Sequence, residues 1–244
     1  MFFQPFGKYI LLLKAVFRRP EKWGIYRGEI LKEMVAIGVG SLGIITIISV
    51  FLGAVTTVQT AFQLVSNLVP RSVIGTIVRD SAILELSPTI SAIVLAGKVG
   101  SSVASQIGTM RVTEQIDALE IMGINSPGYL ILPKVIAAIS MFPLLVIISI
   151  ALCIVGGYCA GSISGAVTAQ DFVYGITTDF IPFTFTVCMV KSVMFAFIIT
   201  TISAYQGFYT TGGALEVGIS STRGVVISCI MILCADYVIA QLLL

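Results

Sequence analysis

The chain has 244 residues, 57% of them hydrophobic and 11% charged, with a mean hydropathy of +1.05. Soluble domains carry about a quarter charged residues, so this composition excludes a soluble domain and indicates an integral membrane protein. The net charge is only +2 and the basic residues gather near the N-terminus instead of forming a stripe, which argues against a nucleic-acid partner.

The first segment places Phe2, Phe3, Phe6, Tyr9, Ile10, Leu13, Val16 and Phe17 on one helical face and Gln4, Lys8, Lys14 and Arg18 on the other. This predicts a helix lying flat in a membrane interface, aromatic side down. The alternative, an early first transmembrane helix, would bury Lys8, Lys14, Arg18 and Arg19 in hydrocarbon. No cleavable signal peptide is expected, because the apolar stretch is short, is interrupted by Lys14 and runs into Arg18-Arg19.

A basic, polar connection leads to a first span over Met34 to Leu64, in which Gly38, Gly40, Gly43 and Gly53 permit close helix approach. A loop containing Pro70, Arg71, Arg79 and Asp80 precedes a second span over Ile83 to Ile107. Residues 111–122 then read as a short amphipathic helix. Val112, Ile116, Leu119 and Met122 recur at helical spacing, with Glu114, Asp117 and Glu120 opposite. Gly123 supplies a stop and Pro127 is expected to prevent resumption. Such a helix either lies against its own protein or meets a partner in water.

A third span covers Leu130 to Tyr158. The Gly-, Ser- and Thr-rich segment from Cys159 to Asp179 reads as an exposed loop with one short helix near Asp171 to Ile176. Spacings Gly157-x-x-x-Gly161 and Gly161-x-x-x-Gly165 make either a helix contact or a flexible loop edge. The fourth span covers Pro182 to Tyr205, a Gly- and Thr-rich turn extends to Arg223, and the fifth runs from Gly224 to the C-terminus. No internal repeat or domain boundary is visible. The expected fold is an all-α membrane protein: one domain, 1–244, with an interfacial and connecting segment (1–33) and a five-helix transmembrane core (34–244).

Seven lysines and arginines precede residue 34, three fall between Gly97 and Lys134 and one, Arg223, in the last turn. The first opposite loop holds only Arg71 and Arg79, and the second none. This positive-inside bias predicts a cytoplasmic N-terminus, a cytoplasmic 111–122 helix and an external C-terminus. The five cysteines lie in or beside apolar runs and are expected to be buried, reduced thiols; with no histidine in the chain, no metal-ligand spacing is legible.

No catalytic constellation is present in the sequence. Gly97-Lys98 is not a phosphate loop, because Ala92 stands where that motif needs glycine and Val99 where it needs Ser or Thr. The chemistry-bearing candidates are instead the ionisable residues inside spans, Glu85, Lys191 and Asp236, each costly in hydrocarbon without a partner. Their structural alternatives are an interfacial position for Glu85, snorkelling for Lys191 and internal pairing for Asp236.

Several separated motifs occur in order: Gln59 after Gly53; Glu85-Leu86-x-Pro88; Gly97, Gly100-Ser101, Gly108; Met110-Arg111-x-Thr113-Glu114-Gln115-Ile116-Asp117-Ala118-Leu119; Tyr129 and Pro133; then Lys191-Ser192, Gly212-Gly213-Ala214, Val217-Gly218, Thr222, Val225-Val226 and Asp236-Tyr237. Together they resemble the MlaE family of ABC-transporter permeases over about Gly53 to Leu244. Departures fall at charged positions, where Leu84 replaces a family arginine, Lys98 an arginine and Gln106 a glutamate.

The resemblance implies a bacterial inner-membrane permease moving phospholipid or a related lipid between membranes. It further implies a homodimer paired with two ABC ATPase subunits and an MCE-type lipid-binding protein, with a small regulatory subunit on the ATPase left open. No cofactor is expected on this chain, ATP and Mg belonging to the partner ATPase. The family's coupling element maps onto Arg111, Thr113, Glu114, Gln115, Asp117, Ala118, Leu119 and Met122. Gln59, Glu85, Leu86, Lys191 and Asp236 are the lipid-pocket candidates. The rival readings are a secondary transporter or channel, disfavoured by the lack of a repeat, and a scaffold whose helix only recruits a partner.

Overall fold

Apolar helices long enough to cross a bilayer dominate the architecture. The computed structural model describes residues 3–18, 23–64 and 70–243, without the side chains of residues 3–5 and 23–25. Phe2 and Arg19 therefore lie outside the described residues, as do the side chains of Phe3 and Gln4. Among the described residues five helical stretches qualify as spans, over Tyr26–Gln63, Ser72–Val112, Ser126–Ile163, Pro182–Phe208 and Ala214–Leu243. The protein is thus an all-α, multi-pass membrane protein.

The elements run further than the sequence patterns do. Helix α2 (Trp23–Gln63) has 41 residues. At about 1.5 Å rise each it is roughly 60 Å long against about 30 Å of hydrocarbon, so it projects beyond the lipid. It absorbs the expected polar connection before Met34. The second span starts at Ser72, so Arg79 and Asp80 are helical, not loop. It comprises α3 (Ser72–Ser81), a π-helical segment (Ala82–Ile90), α4 (Ser91–Leu95), a second π-helical segment (Ala96–Gly100) and α5 (Ser101–Val112). Then come α6 (Gln115–Ile121), α7 (Ser126–Ile163), α8 (Ala169–Thr177), α9 (Pro182–Phe208) and α10 (Ala214–Leu243). Helix α10 begins ten residues before Gly224, because only residues 209–213 break the chain after α9.

Pro127 starts a helix instead of blocking one. It occupies the first turn of α7, where its missing N–H has no intrahelical partner to lose. Gly123 does end α6, with φ +77°: its N–H donates to Glu120 O at 2.9 Å and that of Ile124 to Leu119 O at 3.1 Å, the paired bonds of a Schellman stop.

Helix directions follow from which residues meet. Along α2 and α7 the contacts Glu33 with Lys134, Gly38 with Met141, Ser49 with Ser149 and Gly53 with Cys153 rise together, so these helices are parallel. A Cβ on Gly53 would collide with the Cys153 carbonyl and one on Gly156 with the Val50 carbonyl, so only glycine permits this spacing. Gly157 and Gly161 also sit against Thr57, which makes that spacing a helix contact. Helix α9 runs parallel to the second span, since Leu84 meets Lys191 and Gly100 meets Ser203. Helix α10 runs opposite, with Thr89 at Asp236 and Ser101 at Ser221.

One end of the bundle therefore carries the start of α2, the α5–α6–α7 connection and the α9–α10 turn. Helix α1 (Phe3–Arg18) packs at this end: Leu12 and Val16 are buried, Tyr9 hydrogen-bonds Thr201 at 2.8 Å, and Asn125 donates to Ala15 O at 2.8 Å. Phe6, Ile10, Leu11 and Phe17 remain exposed. The apolar residues of α1 thus divide between protein and surroundings. The far end carries α8, pinned to α3 by buried Arg79, whose guanidinium donates to Ile176 O and Thr178 O at 2.9 and 2.6 Å. Of the cysteines, Cys153 and Cys188 are buried, Cys229 is half-buried, and Cys159 and Cys234 are exposed, so the expectation of five buried thiols fails for the last two.

Candidate functional site

The amphipathic pattern over 111–122 does not form one helix. Arg111 and Val112 close α5, and Glu114 adopts a left-handed backbone (φ 58°) that turns the chain before α6. A non-glycine residue in this region is strained by about 1 kcal/mol or more, so the corner is held by its surroundings. Thr113 donates to Thr109 O at 2.8 Å, and Arg111 pairs with Asp117 at 2.5 Å while lying over the Phe208 ring. Ser126 donates to Glu120 at 2.8 Å. The ends of α6 are tied to its flanking helices.

Its apolar side is only partly seated. Ile116 is fully buried and Leu119 half-buried, whereas Ile121 and Met122 are 88% and 65% exposed. Glu114, Gln115 and Ala118 are exposed as well. The helix is therefore a short projection at one end of the bundle, fixed by a single buried isoleucine and two polar ties, with two large apolar side chains turned outward.

The intramembrane candidates divide into two groups. Gln59, one turn from the end of α2, and Glu85 are exposed, and Leu86 is half-buried. Lys191 and Asp236 instead engage each other. Lys191 Nζ lies 2.6 Å from Asp236 Oδ1, off the hydrogen-bonding direction, and donates to Leu84 O at 3.0 Å; Thr89 donates to Asp236 Oδ2 at 3.1 Å.

The local reason lies in Pro88. Proline returns no N–H to the carbonyl four residues back, which is Leu84, and the surrounding turn is π-helical. The buried ammonium donates to that carbonyl, as polar groups of neighbouring helices do in a membrane. Lys191 and Asp236 thus join the second, fourth and fifth spans.

Two further charged centres escape sequence reasoning. Lys134, 5% exposed, bonds the Glu33 carboxylate and Gln106 Oε1, the latter at 2.6 Å, joining α7 to α2 and α5. The sequence signal existed, because the third span drawn from Leu130 already contains Lys134. Arg79 carried no such signal, since apart from its neighbour Asp80 its partners are backbone carbonyls about a hundred residues away. An open, mostly apolar groove of about 600 Å³ also runs along the face of α10, past Leu215, Gly218, Ile219, Thr222, Arg223 and Val226.

Comparison with known proteins places these features in context. The model of the family described as Permease MlaE matches residues 30–242. A probable ABC transporter permease protein of Rickettsia bellii is 36% identical over 239 residues, covering 98% of this chain and 92% of its own. A similarly named protein of Synechocystis sp. is 34% identical over 243 residues, covering 100% and 92%. Protein TRIGALACTOSYLDIACYLGLYCEROL 1, chloroplastic, of Arabidopsis thaliana is 35% identical over 229 residues, covering 90% of this chain and 63% of that one.

Proposed function

This chain belongs to the MlaE permease family, and from that premise we propose that it is the membrane subunit of an ATP-driven transporter moving phospholipid or a related lipid between membranes. The observation that carries the ATP-driven reading is α6. It projects from the bundle between two spans and turns Ile121 and Met122 away from its own protein. A short apolar-tipped helix with both ends tied to spans can transmit a partner's nucleotide-dependent movement into the membrane. The ATPase-coupling set is accordingly Arg111, Thr113, Glu114, Gln115, Asp117, Ala118, Leu119 and Met122, with the hydrolytic chemistry and its ATP and Mg in the partner.

The lipid reading draws on the family and on the name of the Arabidopsis relative, which contains a diacylglycerol lipid. The open, mostly apolar groove along α10 suits acyl chains. Glu85 and Gln59, exposed on the second and first spans, are the headgroup candidates, with Leu86 next to Glu85 and the Lys191–Asp236 pair setting the place of the Glu85 segment. The working unit is a homodimer with two ATPase subunits and an MCE-type partner, in the bacterial inner membrane. Its α6 end, which carries most of the basic residues, is cytoplasmic.

The test is gentle affinity purification from the native membrane, with mass spectrometry of co-purifying protein and lipid. An ABC ATPase, an MCE protein and phospholipid are the expected result. An intact preparation with none of them would shift the assignment to a secondary carrier or a scaffold.

A further inference from the structure

Little of α6 is held by its own packing; its position depends on where α5 ends and α7 begins. The residue that joins those two helices inward of α6 is Lys134. Its side chain is 6% exposed, and its ammonium bonds Gln106 on α5 and the Glu33 carboxylate on α2. Three spans meet at this one buried cation.

We propose that Lys134, with Glu33 and Gln106, is the fulcrum that passes displacement of α6 to α2, which makes Lys134 a positioning residue for energy coupling. The inference rests on the ATP-driven reading given above. Pro133, the adjacent residue, returns no N–H to Tyr129 O, so α7 is compliant at the point where the ammonium grips. A cavity of about 70 Å³ lined by Glu33, Lys98, Ser102 and Gln106 lies beside the cluster. Its polar lining and size suit ordered water, which lets the cluster rearrange without leaving a charge dry. Beyond it Lys98 bonds the Gly40 carbonyl, so α2 is gripped twice on this stretch.

At the buried contact itself one ammonium meets one carboxylate, because position 106 is a neutral glutamine, while Lys98 across the cavity is exposed and spends its ammonium on the Gly40 carbonyl. Replacing Lys134 alone would strand Glu33, which confounds coupling with stability. The informative variant removes both charges, K134M/E33L.

The permease, its co-purifying ATPase and fluorescent phosphatidylethanolamine are reconstituted in phosphatidylethanolamine–phosphatidylglycerol vesicles, and lipid transfer and ATP turnover are read separately. K134M/E33L is expected to bind the ATPase and turn over ATP, while lipid moved per ATP falls roughly two- to thirty-fold, the range of energetic coupling through such networks. Wild-type transfer per ATP in that variant would overturn the proposal, leaving Lys134 a structural ion pair. Hydrogen exchange on the wild-type complex gives a second reading that needs no variant. A non-hydrolysable ATP analogue should change protection at residues 29–37 together with 113–123. A change confined to 113–123 would equally overturn it. Failure of wild-type permease to retain an ATPase removes the ATP-driven premise itself, a result distinguishable from either.

Discussion

Three buried cations, Arg79, Lys134 and Lys191, decide how separate stretches of chain meet, and each is satisfied in a different way. Arg79 donates mainly to backbone carbonyls at the end of α8, Lys134 meets a carboxylate and an amide, and Lys191 meets a carboxylate and the carbonyl that Pro88 leaves without its four-residue donor. Lys191 and Asp236 were legible as intramembrane charges, but not as each other's partner, because 45 positions separate them and helical spacing relates only near neighbours. Removing one member of a buried pair costs about 3–5 kcal/mol, whereas replacing both with apolar residues is often neutral. Lys191→Met should therefore lower the thermal midpoint of the detergent-solubilised protein, and K191M/D236L should recover most of the loss. A double variant no more stable than the single one would show that the Leu84 carbonyl, not the ion pair, is the important partner.

At the scale of elements, the amphipathic period over 111–122 located the projecting helix and missed its break. The period counts side chains, while the break is a backbone event at Glu114, where a left-handed residue turns the chain. Nor did the period tell which apolar residues are covered: Ile116 is buried by the bundle, and Ile121 and Met122 are not. Substituting I121D/M122D should leave the permease folded and membrane-inserted, since those side chains lie outside the core, and should weaken ATPase co-purification by about tenfold or more if they anchor the interface. Unchanged recovery would remove α6 from the docking surface. The α2–α7 contact was partly legible, because Gly53, Gly157 and Gly161 read as small residues in or beside spans. Their partner helix was not, since small residues permit a close approach without naming what approaches.

For the whole molecule, helix directions sort the basic residues. Lys8, Lys14, Arg18, Arg27, Lys32, Lys98, Arg111, Lys134 and Arg223 lie at or toward the α6 end, with Arg71 and Arg79 at the other. A cysteine-free permease carrying Glu216→Cys or Asp171→Cys tests the orientation. In intact cells stripped of their outer membrane, an impermeant thiol reagent should label position 171 and spare 216; the reverse pattern would invert the topology. The sequence by itself determined the membrane class, the five spans and the place of the projecting helix, because hydropathy and helical period are properties of contiguous residues. Only the tertiary structure decided that the spans outrun their apolar runs, that Arg79 and Lys134 are buried, and that Lys191 closes on Asp236. The fate of those charges depends on which distant carbonyl or carboxylate arrives within hydrogen-bonding reach, and a buried charge is tolerated only where one does.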